Sequence, residues 1–111
     1  MRVFTICSAG TCRSVAMSHR LKMDYGHDAV PIGRDYNSQC TIDMLSEWSE
    51  AIIVMEPKYA SGILKKFAHK IVPPELTNVG PDVWMNAFSI NLQGIIGEMA
   101  ERLHEKGYLH K

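Results

Sequence analysis

At 111 residues the chain is long enough for one domain, and a domain of that size buries roughly two thirds of its unfolded surface. Its 12 basic and 12 acidic residues cancel, so the general electrostatic footprint of a nucleic-acid binder is missing. No apolar run reaches the ~20 residues that cross a bilayer, and an odd count of 3 cysteines argues against a secreted disulfide framework.

A single domain over 1–111 in a reducing, cytoplasmic setting is therefore expected, with no membrane or nucleic-acid partner. A metal is not expected either: Cys7 and Cys12 lack a second pair, and the histidines are scattered. No cofactor is implied.

Taken in chain order, Val3 to Ile6 reads as the first strand. A helix follows from about Ser14 to Tyr25, with Met17, Leu21 and Tyr25 on its buried face and Gly26 as its stop. Ala29 to Ile32 forms a weaker strand that Pro31 confines to a sheet edge. After a loop over Gly33 to Ser38, Thr41 suits a helix N-cap, with Ile42, Leu45 and Trp48 on one face. Ala51 to Met55 is apolar on both faces and reads as a central strand.

Pro57 predicts a helix start, with Tyr59, Ile63, Leu64 and Phe67 as the buried stripe. The adjoining Lys65, Lys66, His69 and Lys70 read as a solvated helix face. Ile71-Val72 predicts a short fourth strand closed by Pro73-Pro74, followed by a long loop to about Asn86. The last helix carries Phe88, Leu92, Ile95, Ile96, Met99 and Leu103, its Gly94 and Gly97 allow close backbone packing, and Gly107 ends it. Alternating strands and helices predict an α/β three-layer sandwich. Its four-stranded parallel sheet has the order 2-1-3-4, with helices on both faces.

The first strand leads into the segment that carries chemistry, Cys7-Ser8-Ala9-Gly10-Thr11-Cys12-Arg13-Ser14. A strand delivers a thiol, a run of small residues can wrap its N–H groups around one point, and a helix start adds a positive dipole end. Such a field favours an anion, and favours thiolate over thiol. Arg13 adds a planar fork that matches two oxygens of a phosphate. The pattern reads as a nucleophile within a phosphate site formed by Ser8, Ala9, Gly10, Thr11, Cys12, Arg13 and Ser14. It would lie beyond the carboxyl ends of strands one and three, where open α/β sheets bind ligands.

That octapeptide resembles the Cys-x5-Arg-Ser hallmark of the low-molecular-weight protein tyrosine phosphatases, and the chain is similar to compact bacterial or phage-type members. The resemblance implies hydrolysis of phosphotyrosine, in a protein or a small aryl phosphate, through a cysteinyl-phosphate intermediate. Cys7 would be the nucleophile and Arg13 the clamp on the phosphoryl oxygens, while Ser14 would donate its hydroxyl to the thiolate. Cys12 matches the second thiol that can shield the nucleophile as a disulfide.

The family's general acid is an aspartate on the loop before the last helix, for which Asp82 is the candidate and Asp35 the runner-up. Tyr36 and Trp84 lie on the two loops that could wall the substrate pocket. Two departures stand out: Gly10 replaces the usual asparagine, and Pro81-Asp82 replaces the usual aspartate-proline pair. Three further readings are a phosphocysteine carrier like the enzyme IIB of sugar phosphotransferase systems, an arsenate reductase, and a non-catalytic phosphate or phosphotyrosine-binding module. Arg13 disfavours the carrier, and Cys40 is a single thiol where an arsenate reductase needs two more.

Overall fold

In the computed structural model, which describes residues 1–8, 12–80, 84 and 86–110, the sheet is organised around β1 (Arg2–Cys7). β1 pairs in parallel with β2 (Asp28–Gly33) on one side and β3 (Ala51–Val54) on the other, giving the order β2-β1-β3. Cys7 lies opposite Gly33, and Ile6 opposite Val54, so the carboxyl ends of all three strands share one edge. Pro31 sits on the outer strand β2, as its missing N–H requires.

Alternation along the strands feeds two apolar clusters. Val3, Cys7, Ala51 and Ile53 pack with Met17 and Leu21 of α1 (Arg13–Tyr25) and with Leu92, Ile96 and Leu103 of α4 (Ile90–Glu105). Phe4, Ile6, Ile52 and Val54 pack instead with Ile42 of α2 (Gln39–Trp48), Tyr59 and Ile63. Gly26 terminates α1 in the left-handed region at φ 74°, where its N–H reaches Lys22 O at 3.1 Å. Gly107, at φ 82°, does the same work after α4.

The expected fourth strand is reduced to one parallel bridge between Ile52 and Ile71, with Val72 N–H donating to Ile52 O at 2.9 Å. Pro73 and Pro74 stop the pairing there, since proline brings no ladder donor. Pro74 opens a short α3 (Pro74–Thr77), inside what the sequence presents as loop. The fourth-strand position beside β3 is thus correct in place but not in kind.

The helix expected from Pro57 is also different. It resolves into two 3-10 segments, Pro57–Gly62 and Lys65–Lys70, separated by extended backbone at Ile63. The break falls where Gly62, a poor helix former, packs under Arg34: a Cβ there would meet Arg34 Nε at 3.1 Å. Tyr59 and Ile63 are buried as expected, whereas Leu64 is exposed.

The α2 cap is Ser38, three residues before the expected Thr41. Its Oγ accepts from Thr41 N at 3.2 Å. Trp48, placed in the core by its spacing, is half-buried. Phe88 precedes α4 and stands exposed, its ring edge-on to His19, while Ser89 caps that helix. Gly97 does admit a close approach, with Arg20 Nη2 3.3 Å from where a Cβ would be, but Gly94 faces open space.

Candidate active site

The site begins with the last residue of β1. Cys7 is 1% exposed, with its Sγ 3.1 Å from Ser14 Oγ in the first turn of α1. Ser14 is held in turn from below. Its carbonyl accepts from Thr5 Oγ1 at 2.9 Å, and Thr5 Oγ1 also meets Ser18 Oγ at 2.7 Å. Strand and helix are therefore stapled one layer beneath the thiol. The first turn of α1 carries no acidic side chain to offset its positive end.

Arg13, the first residue of α1, is fully buried. Among the described residues its Nη1 donates to Glu56 Oε1 and, at 2.7 Å, to Gly80 O. Nη2 donates to Ser8 Oγ at 3.0 Å and Tyr59 Oη at 3.4 Å. Burial works against the positive charge, but the bonds to Glu56 and Tyr59 and the fields of Tyr59 and Cys7 outweigh it. The guanidinium pKa is raised above its ordinary value. Arg13 thus stays a cation, as an oxyanion site requires.

Cys7, Ser8, Cys12, Arg13 and Ser14 come together at this edge of the sheet. Ala9, Gly10, Thr11 and Asp82 lie outside the described residues. Cys12 Sγ donates to Trp84 O at 3.3 Å, which brings the loop before α4 alongside the start of α1. Trp84 packs against the cluster formed by α1 and α4. Tyr36 stands 78% exposed on the 3-10 turn Arg34–Tyr36. The neighbouring Asp35 is tied in by its backbone, whose N–H donates to Ser8 O at 2.9 Å.

A cleft of about 570 Å³ opens beside Ser8, lined by Arg34, Asp35, Gln39, Lys58 and Tyr59 among others. Its wall next to Arg13 is aromatic through Tyr59, and its outer wall is charged. Glu56 and Tyr59 are the residues at this site that the sequence pattern did not single out. The sole hint was position: Glu56 is a carboxylate just past the carboxyl end of a buried strand, on the ligand-binding edge of such sheets. Among the described residues, no group of three or more His, Cys, Asp or Glu side chains could hold a metal ion. Nor is any helix long and apolar enough to cross a membrane.

Solved structures share this architecture. The chain is similar to the tyrosine phosphatase Wzb from Escherichia coli K30 in complex with phosphate, with a TM-score of 0.66 and 14% identity over 96% of this chain and 97% of that one. Vibrio vulnificus Wzb in complex with benzylphosphonate gives 0.66 and 15% over 95% and 97%. The YwlE arginine phosphatase from Geobacillus stearothermophilus gives 0.60 and 14% over 99% of both chains. No protein-family model and no curated protein sequence matches the chain. The fold is that of the low-molecular-weight phosphatases. At these identities the likeness is one of fold.

Proposed function

We propose that this chain hydrolyses phosphomonoesters through a phosphocysteine on Cys7, with phosphotyrosine as the substrate class. The observation that carries the reading is the convergence of Cys7 Sγ, Ser14 Oγ and the buried Arg13 guanidinium at the carboxyl edge of the sheet. In the first step Cys7 thiolate attacks phosphorus in line with the departing oxygen. Loop N–H groups from Ser8 to Ser14 and Arg13 hold the phosphoryl oxygens, offsetting the repulsion between a thiolate and a dianion. That help is greatest as the equatorial oxygens splay toward them in the transition state.

The departing phenolate takes a proton from Asp82, since a tyrosine phenol has a pKa near 10. Water then attacks the phosphocysteine, with the same carboxylate accepting its proton, and inorganic phosphate leaves with Cys7 restored as thiolate. Tyr36 and Trp84 border the leaving group in this proposal, and Cys12 serves as a protective partner for an oxidised Cys7. A cysteine that works as thiolate suits a reducing compartment such as the cytoplasm.

The solved neighbours include both a tyrosine and an arginine phosphatase, so the test uses both leaving groups. Para-nitrophenyl phosphate, phosphotyrosine and phosphoarginine are offered to the wild type and to Cys7→Ser. Expected is hydrolysis by the wild type, fastest among the physiological pair on phosphotyrosine, and none by the variant. Undiminished turnover in Cys7→Ser overturns covalent catalysis. Phosphate binding without turnover of any substrate makes the chain a binding module.

A further inference from the structure

Arg13 is a buried cation at the centre of the proposed site, and a guanidinium clamps an oxyanion well only if its plane is fixed. Its five N–H donors lie in one rigid plane, but the stem that carries it turns freely unless something beyond the phosphate holds it. On the Nη1 side that something is Glu56 together with Gly80 O. The second carboxylate oxygen of Glu56 is in turn 3.8 Å from Lys58 Nζ.

Pro57 then opens the 3-10 turn Pro57–Gly62. This turn returns Tyr59 to the same guanidinium, with its hydroxyl 3.4 Å from Nη2 and its ring centroid 6.0 Å from the guanidinium carbon. One four-residue stretch after β3 therefore holds both ends of the fork.

We propose that Glu56 is a positioning residue that fixes the Arg13 guanidinium for phosphoryl transfer while opposing the resting binding of phosphate. The proposal rests on the phosphatase reading of Arg13. Two effects of the carboxylate act in opposite directions. As an anchor on Nη1 it holds the plane in the orientation the transition state needs, and slight misplacement of such groups costs about 100-fold in rate. As a negative charge beside the site it repels an incoming dianion, so free phosphate and bound substrate are held less tightly. Removing it should lower kcat and also lower KM, the pattern of a group that spends ground-state binding for turnover.

The experiment compares wild type, Glu56→Ala and Glu56→Gln on para-nitrophenyl phosphate, with inorganic phosphate as competitive inhibitor and melting curves to establish folding. Glu56→Ala is expected to lose at least about tenfold in kcat, by the same positioning argument, while KM and the phosphate inhibition constant fall severalfold. Glu56→Gln keeps an acceptor for Nη1 without the charge. It should recover part of kcat and keep the tighter phosphate binding. It also covers the case in which Glu56→Ala, by stranding a buried cation, fails to fold.

A purely structural role would scale activity with the folded fraction and leave KM and phosphate inhibition at wild-type values. That outcome, or wild-type kinetics in a folded variant, overturns the proposal alone. A wild type that neither hydrolyses the ester nor binds phosphate overturns the phosphatase reading, and this proposal with it.

Discussion

Ser14 Oγ lies 3.1 Å from Cys7 Sγ, and Thr5, two residues earlier on the same strand, holds the Ser14 carbonyl at 2.9 Å. A hydroxyl so fixed can donate to sulfur once the thiol has lost its proton, and hydrogen bonds to charged groups are worth about 1.5–3 kcal/mol. Ser14→Ala should therefore slow alkylation of Cys7 by iodoacetamide at pH 7 and lower kcat by about tenfold or more, at 1.4 kcal/mol per decade. Site-resolved mass spectrometry separates Cys7 from Cys12 and the exposed Cys40. Wild-type alkylation and turnover in Ser14→Ala would reduce Ser14 to a helix-start residue.

The acid is tested by leaving group. A phenolate with a pKa near 10 needs protonation, whereas para-nitrophenolate leaves largely unaided. Asp82→Asn should slow phosphotyrosine hydrolysis toward the ~10²–10⁴-fold that general acid catalysis supplies, and para-nitrophenyl phosphate hydrolysis far less. Asp35, exposed at the cleft beside Ser8, is the comparison: Asp35→Asn should affect both substrates alike and weakly. Equal losses on the two esters in Asp82→Asn would remove it from the acid role.

What could be read from sequence and what could not divides along contact range. Cys7, Arg13 and Ser14 fall within eight residues, and a strand-to-helix turn brings such neighbours together by itself. Pro31 placed its strand at an edge because the missing N–H is a local fact. The partner of Arg13 was not local: Glu56 is 43 positions away, and the sequence there reads as a strand running into a turn.

The segment 57–70 misled for another reason. Apolar residues at Tyr59, Ile63 and Phe67 match a helical stripe, yet two 3-10 turns around an extended Ile63 bury the first two equally well. Spacing constrains which side chains point inward, not how the backbone between them travels.

Lys70 belongs to the cluster whose charges suggest a solvated face. Lys70 instead reaches the end of α2, where Nζ donates to Ser46 O at 2.8 Å, Glu47 O at 3.0 Å and Ser49 O at 2.7 Å. These carbonyls end a helix and carry its negative dipole end, so an ammonium there satisfies them and gains from the field. Its Nζ also lies over the Phe67 ring, 5.0 Å from the centroid. Lys70→Met keeps the stem and deletes the charge. It should lower unfolding free energy by about 1–2 kcal/mol, seen as a reduced urea midpoint at unchanged slope. An unchanged midpoint would mean water replaces the ammonium at no cost.

At the far end of the molecule from Cys7, His27 and His104 form a chain of hydrogen bonds whose tautomers follow from its ends. His104 Nδ1 faces Ala100 O at 2.6 Å and must carry a hydrogen, which leaves Nε2 as acceptor when the ring is neutral. His27 Nε2 lies 2.8 Å from that acceptor and so donates to it, and His27 Nδ1 then accepts from the Met1 nitrogen at 3.0 Å. Tyr25 stacks on His104 at 3.8 Å and closes the cluster. An added proton on His27 Nδ1 would face the Met1 nitrogen. Its pKa is pushed down from 6.5 to about 4, first by burial and then by the positive Met1 amino group, His104 and His110, with Glu50 pulling weakly the other way.

In the unfolded chain His27 takes up a proton near pH 6.5, while the folded chain resists until about pH 4. The unfolded state therefore binds more protons between those values, and stability falls as pH drops through the window, by up to about 3 kcal/mol for a shift of this size. Urea titrations at steps from pH 7 to pH 4 should show that acid loss in the wild type. His27→Gln, less stable at pH 7 through its lost partners, should lose much less on acidification, so the two stability curves converge toward pH 4. Parallel curves would place the acid sensitivity elsewhere.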